Sequence, residues 1–305
     1  MTRMRPFSIV CSTIALLGTL SVIPPSLSDE EWMQVRSGKA YGISGMAWID
    51  RHGDTPNLAI VHDNKTEDLD RLAIVSLPPH EQPQYYPIPW SDDTEFPVDL
   101  EGLVAVPDDS FRFMALESQG RVFDFRLDPD RRTIETIQTF DLPDIPDNSN
   151  FEGFALTRIR DQLIAVWAHR GEGEDPGVLY WGEFNLDRGE IGLRGRQEVR
   201  VPQPPGNPRH ISDIKIDRAG RVWISSATDP GDDGPFDSAI YTIGRFEVKD
   251  ETIALDPFPS LTPIAAYEGH KIEAIEILPD DRSIIGTDDE NAGGFIRIDR
   301  LATRN

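Results

Sequence analysis

The chain is nearly without sulfur chemistry. Its one cysteine, Cys11, lies in an apolar N-terminal stretch, so neither a disulfide nor a cysteine zinc site can be built downstream of it. Long helical patterns are missing as well. No long segment repeats its apolar residues at three and four, and 25 prolines and 24 glycines punctuate the chain. Beyond the first residues there is no apolar run long enough to cross a bilayer. Cations are few: 30 Lys and Arg stand against 53 Asp and Glu, a formal charge of −23. Such an excess of carboxylates disfavours nucleic acid and anionic lipid, and favours divalent cations or cationic partners. Familiar catalytic templates are absent too. There is no Gly-Lys-Ser/Thr phosphate loop, Gly171-Glu172-Gly173 lacks the third glycine of a dinucleotide site, and Ser44 lacks the spacing of a nucleophile elbow.

Residues 1–28 have the order of a secretory leader. Arg3 and Arg5 precede an apolar run from Phe7 to Ile23, and Ser26-Leu27-Ser28 places small residues where a signal peptidase reads. The run is short for a membrane anchor and Pro24-Pro25 ends it. Val10 before Cys11 does not suit a lipid attachment site. The expectation is an exported, soluble monomer, periplasmic or extracellular, cleaved before Asp29. Residues 29–305 then form one domain held by packing alone, with a formal charge of −25 once the two arginines are gone.

What the sequence does contain is a repeated phrase. Ile43-Ser44-Gly45-Met46, Leu100-Glu101-Gly102-Leu103, Phe151-Glu152-Gly153-Phe154, Ile211-Ser212-Asp213-Ile214 and Ile272-Glu273-Ala274-Ile275 each open an apolar strand. Their second residues are spaced 57, 51, 60 and 61 positions apart, a period suited to stacked sheet modules. A second strand follows each phrase and ends in polar residues: His62-Asp63, Glu117, His169, Asp229 and Asp288-Asp289. Hairpin arithmetic pairs Ser44 with Asp63, Glu101 with Glu117, Glu152 with His169, Ser212 with Asp229 and Glu273 with Asp288. Every pair centres on a turn sequence.

Third strands are expected at 72–77, 121–127, 178–186, 240–248 and 294–298, and fourth strands at 84–90, 134–142, 196–202 and 252–258. The fifth repeat runs out of chain, and residues 31–36 are placed to supply its outer strand. The reading is an all-β propeller of five four-stranded blades, with six as the alternative, closed by the strand at the mature N-terminus.

In that fold the strand starts and ends share one mouth. Crowded carboxylates there raise one another's pKa or recruit a cation. Glu101, Glu117, Glu152, Asp213, Asp229, Glu273, Asp288 and Asp63 are the candidate metal ligands, with calcium as the expected ion. Acids at strand ends also serve to accept backbone N–H bonds, and that alternative stays open. His169 and His62, with Glu152, are the candidate proton-transfer groups, and Arg170, Lys215 and Lys271 the candidate substrate cations. His210 and His270 stand just before the fourth and fifth phrases. The acidic turn Asp229-Pro230-Gly231-Asp232-Asp233-Gly234 matches a calcium loop at its first, fifth and sixth positions and departs from it at Gly231 and at Ile240.

The phrases Asp99-Leu100-Glu101-Gly102-Leu103 and Asn150-Phe151-Glu152-Gly153-Phe154, the strand end Glu117-Ser118-Gln119-Gly120, and Lys271-Ile272-Glu273-Ala274-Ile275 followed by Thr287-Asp288-Asp289-Glu290-Asn291 resemble the exported phytase-like proteins with esterase-like activity. Ser44 and Ser212 depart from that pattern, which expects acids. The resemblance implies a secreted propeller that hydrolyses phosphate esters with calcium at its mouth. The competing expectation is a non-catalytic exported propeller that binds a small ligand or a protein there.

Overall fold

The computed structural model describes residues 31–90, 95–143, 145–146 and 148–301. The leader and Cys11 lie outside these residues. β1 (Met33–Arg36) comes first. Blade 1 is β2 (Gly45–His52), β3 (Thr55–Val61), β4 (Leu72–Ser76) and β5 (Gln84–Ile88). Blade 2 is β6 (Leu100–Ala105), β7 (Arg112–Glu117), β8 (Arg121–Asp128) and β9 (Thr133–Asp141). Blade 3 is β10 (Phe151–Ile159), β11 (Gln162–His169), β12 (Gly177–Asn185) and β13 (Glu190–Val199). Blade 4 is β14 (Pro208–Ile216), β15 (Arg221–Thr228), β16 (Asp237–Lys249) and β17 (Thr252–Pro257), with β18 (Ala265–Glu268) added along the long β16. Blade 5 is β19 (Ile272–Ile277), β20 (Ser283–Thr287) and β21 (Gly294–Asp299), completed by β1, which pairs antiparallel with β21. Five sheets account for the described strands, so the six-bladed alternative falls away. The chain ends close the ring as expected.

The innermost strands β2, β6, β10, β14 and β19 touch in that order, and β19 returns to β2. The core is accordingly divided into five apolar clusters. Each fills one gap between neighbouring blades, for example Phe113, Phe123 and Phe125 with Trp90 and Ala59 between blades 1 and 2. Buried on both faces, the inner strands read as near-continuous apolar runs. The outer β9 alternates between half-buried and exposed residues. Among the described residues, no helix is long and apolar enough to cross a membrane.

The repeated phrase does two structural jobs. Its opening backbone N–H groups reach back to the previous blade: Ile43 N donates to Thr287 O at 3.0 Å, Phe151 N to Ser118 O at 2.9 Å, Ile211 N to Arg170 O at 3.1 Å and Ile272 N to Ser238 Oγ at 2.9 Å. Its third residue faces the next blade. A Cβ on Gly45 would stand 2.8 Å from Leu103 N, one on Gly102 3.0 Å from Phe154 N, and one on Gly153 2.6 Å from Ile214 N. Glycine is required there because backbone meets backbone around the axis.

Blade 4 has Asp213 in the third position instead. Its Oδ2 accepts the matching N–H of Ile275 at 2.7 Å and its Oδ1 that of Ile214 at 2.7 Å. Asp213 is therefore a tie between blades 4 and 5, which corrects its reading as a metal ligand.

Candidate functional site

The hairpin arithmetic needs a one-residue correction. Leu100 pairs with Glu117, Phe151 with His169 and Ile272 with Thr287, and the register then slips before Gly102, Phe154 and Ala274. In β14 the slip lies between Arg209 and Asp213. Glu101, Glu152, Ser212 and Glu273 all sit in these irregularities, and Ser44 stands immediately before β2. A bulge leaves a residue unpaired and re-aims its side chain. Here it turns the second residue of the phrase away from the ladder.

The glutamates converge. Glu101 is pushed well above the ordinary carboxylate range by burial first, then by the charges of Glu152 and Glu273 from blades 3 and 5, and by Asp63 and Asp99. Arg209 at the start of β14 joins three blades: its Nη1 lies 2.8 Å from Glu273 Oε1 and 3.8 Å from Glu152 Oε1, and its Nη2 pairs with Asp229. Arg170 Nη1 adds a contact of 3.3 Å to Glu152 Oε1. Lys271, almost wholly buried, places its ammonium 2.6 Å from Glu290, 3.0 Å from Asp288, 3.4 Å from Glu273 and 3.8 Å from Asp229. Burial and Asp288 raise the Glu273 carboxyl, Lys271 and Arg209 oppose them, and the net direction is upward. Asp229 is held below its usual range by Arg209, which outweighs its burial with help from Lys271.

On the other side of the mouth, Asp63, Asp99 and Glu101 each offer a carboxylate oxygen, all within 4.8 Å of one another. Burial, then Asp288 and Asp99, push Asp63 up to about 6. The cation nearest this trio is the exposed Lys65, 3.0 Å from Asp99 Oδ1. Three carboxylates at such spacing suit a hard cation such as calcium, with Lys65 as the competing charge.

Several expected site residues lie elsewhere. His62 is buried with Nδ1 at Gly42 O and Nε2 3.1 Å from Tyr85 Oη, and burial pulls its pKa down. Both its nitrogens are engaged, so the proton-shuttle reading is corrected. His169 Nδ1 turns to the Asn150 backbone, 3.1 Å from both N and O. Glu117 Oε1 accepts Val98 N at 2.6 Å, away from the trio that Glu101 joins.

Lys215, expected to grip substrate, instead crosses the axis. Its ammonium donates to Met46 O and Leu103 O at 2.7 Å each and lies 3.8 Å from Glu276. Those carbonyls stand two residues further along the inner strands than Ser44 and Glu101, so Lys215 plugs the channel beneath the acidic ring. Arg209 and Asp99 were not among the expected ligands. Asp99 had a signal, because it holds the slot two residues before Glu101 that Lys271 holds before Glu273.

No protein-family profile matches this sequence, and no curated protein matches it. Solved structures do share the fold. The chain is similar to an endo-1,4-β-xylanase from Bacteroides thetaiotaomicron at 10% identity, with a TM-score of 0.52 over 86% of this chain and 92% of that one. A thermostable family-43 glycoside hydrolase is 12% identical over 88% and 92%, with a TM-score of 0.49. An α-L-arabinanase from Penicillium chrysogenum is 10% identical over 91% and 99%, with a TM-score of 0.47. At these identities the likeness establishes the fold and nothing finer.

It nonetheless overturns the resemblance to phytase-like proteins, since no family match supports it and the solved neighbours are glycoside hydrolases. The calcium-dependent phosphoesterase, its esterase-like label and its phosphate-ester ligand fall with it. Electrostatics agree: among the described residues, Arg170, Arg209 and Lys271 at the mouth are each committed to carboxylates rather than free to hold a phosphate. The non-catalytic alternative gains nothing from these neighbours.

Proposed function

We propose that the axial mouth binds a neutral glycan and hydrolyses a glycosidic bond in it. The observation that carries this reading is the convergence of Glu101, Glu152 and Glu273 from three blades, with unlike surroundings. Glu152 is ion-paired to Arg170 and Arg209, while no ion pair or hydrogen bond engages Glu101 among the described residues. Glycoside hydrolysis needs two carboxyl groups whose environments separate an acid from a base. Glu101, raised by burial and like charges, gives its proton to the leaving glycosidic oxygen. Glu152, oriented by the two guanidinium groups, serves as the carboxylate on the other side of the bond. A neutral substrate enters this acidic opening without the repulsion a phosphate meets.

Support also comes from the fold shared with the xylanase, which makes xylan and xylo-oligosaccharides the first substrates to try. Products are followed by chromatography and reducing-end assay. Hydrolysis is expected, with a loss of about 10²–10⁴-fold in Glu101→Gln and in Glu152→Gln. A folded wild-type protein inert toward a full panel of neutral glycans overturns the reading. The proposal includes export by residues 1–28, tested by sequencing the N-terminus of secreted protein.

The Asp63, Asp99 and Glu101 trio favours one other reading, calcium held at that side of the mouth. Calcium there supplies charge neutralisation and holds Glu101 ionised, so the two readings exclude each other at Glu101. Calcium that raises the melting temperature by mass action, with the effect lost in Asp63→Asn, decides for the ion.

A further inference from the structure

Beside the mouth, across the junction of blades 4 and 5, lies an open groove of about 440 Å³. The turn following β15 forms one wall and the loop between β20 and β21 the other. Phe236 and Phe295 supply apolar faces, and His270, Asp233, Asn291 and Asp289 supply polar ones. This is the acidic turn that only partly matched a calcium loop.

Two features make the groove a built surface. First, the His270 imidazole is fixed from several sides. Its Nδ1 lies 2.6 Å from Asp289 Oδ2, while Asp289 Oδ1 accepts Lys271 N at 2.7 Å. The Trp32 ring lies 4.1 Å from it, tilted by 31°, and Phe295 meets it edge-on at 5.3 Å. The histidine itself lines the groove, and no protein group engages Nε2 among the described residues. Second, Asp233 Oδ1 accepts Asn291 Nδ2 at 3.0 Å, which braces the two walls and leaves Oδ2 for a ligand. Aromatic walls with a few oriented polar groups, in a volume near the lower end of ligand pockets, form the pattern of a small-molecule site.

The groove and the mouth are neighbours that share one short segment. Asp288 faces the Lys271 ammonium at the mouth, and the next residue, Asp289, backs the groove and binds the Lys271 backbone. Lys39 ties the same segment to the opposite wall, with its ammonium 2.9 Å from Asp232 and 3.1 Å from Glu290.

We propose that this groove is a second sugar subsite, which takes one neutral ring of a glycan whose scissile bond lies in the mouth. The C–H face of the ring packs on Phe236 or Phe295, and its hydroxyls bond to His270 Nε2 and Asp233. The inference rests on the glycan reading of the mouth and adds to it that the substrate is an oligosaccharide recognised over at least two rings.

The test compares kcat/KM on xylo-oligosaccharides of rising length with that on a short aryl xyloside, in wild type, Phe295→Ala and Asp233→Asn. Asp233 is exposed, so its variant guards against a folding defect in the aromatic one. The expected result is a fall of about tenfold in the long-to-short ratio, the size of one lost contact pair. An unchanged ratio, or an equal fall on both substrates, overturns the subsite while leaving the mouth reading intact. If wild type turns over none of these and nothing else in the full panel of neutral glycans, the mouth reading fails. The groove is then judged by saturation-transfer NMR with xylotriose: binding lost in Asp233→Asn sustains it, and no binding to wild type overturns it.

Discussion

The two sides of the mouth carry the same kind of acid from the same repeated phrase, yet they differ in what faces them. On the side of blades 3 to 5, Glu152, Asp229, Glu273 and Asp288 are clamped by Arg170 after β11, Arg209 in β14 and Lys271 before β19. On the side of blades 1 and 2, the ion pair that reaches Asp63, Asp99 or Glu101 among the described residues comes from the exposed Lys65, while Lys271 acts on Asp63 from a greater distance. The clamped side fixes its charges in pairs, and that pairing orients Glu152, the carboxylate proposed to act opposite Glu101. The open side keeps strained carboxyls with capacity to react or to bind. Identical sequence positions thus acquire opposite roles through partners that come from other blades.

Removing the clamp should produce the largest effect. Lys271→Met leaves Glu290, Asp288 and Glu273 buried or half-buried without their shared ammonium, and is expected to cost about 3–5 kcal/mol at neutral pH. Protonation of those acids relieves the loss as pH falls. Lys65→Met, on the open side, should change stability by less than about 1 kcal/mol because its ion pair is exposed. Urea melts of both variants at pH 5 and pH 8 check the pair, and equal costs would break the distinction between the two sides.

Next in size is the pH dependence set beneath the ring. Burial raises Asp213 to about 7, against the opposing pull of Lys215 and two backbone N–H donors. Because the folded value lies above the unfolded one, near 4, the folded state binds the extra proton between them. The stability this contributes is complete below about pH 4 and lost as pH rises through about 7, on the order of 4 kcal/mol. Asp213→Asn should flatten the slope of stability against pH over that window, read from melting temperatures across it. A wild-type protein equally stable from pH 4 to pH 8 contradicts the assignment.

Glu101→Gln brings the comparison back to the open side. The variant removes a carboxyl that burial and like charges penalise when ionised. It should therefore be more stable than wild type above neutral pH and gain nothing below about pH 4. Loss of glycan hydrolysis accompanies the gain, which a purely structural glutamate would not show. Destabilisation in Glu101→Gln would mean that the open side is clamped after all.

How much of this was legible follows from where the information resides. The five phrases, their spacing and the outer strand at the N-terminus are local patterns, and they define the blades and their closure. The convergence of Glu101, Glu152 and Glu273 follows from the same repetition. The bulges did not show, because beyond them β6–β7 and β10–β11 keep the expected hairpin centres, and the slip displaces only the residues at the strand starts, where the acids stand. Lys215 and Asp213 were misassigned for a different reason. Their partners are backbone groups of Met46, Leu103 and Ile275 on other blades, and no sequence pattern marks a carbonyl. Arg209 escaped notice because its role depends on three carboxylates distant in sequence.

The smallest effect tests the ring itself. Ser44 Oγ and Ser212 Oγ are buried without a hydrogen-bond partner among the described residues, and Glu152 Oε2 shares that state. All three occupy the second position of the phrase. A buried hydroxyl that makes no protein hydrogen bond contributes little to folding, so its removal is neutral or slightly favourable. Ser212→Ala and Ser44→Ala are therefore expected to shift stability by no more than about 0.5 kcal/mol, in contrast to Ser226, whose Oγ donates to Arg209 O at 2.6 Å and whose alanine variant should lose about 1 kcal/mol. The contrast separates ring positions that are free of structural duty from neighbours that hold the clamp's arginine in place. If Ser212→Ala costs as much as Ser226→Ala, the serines belong to the scaffold, and the division of the mouth must be redrawn along a different line.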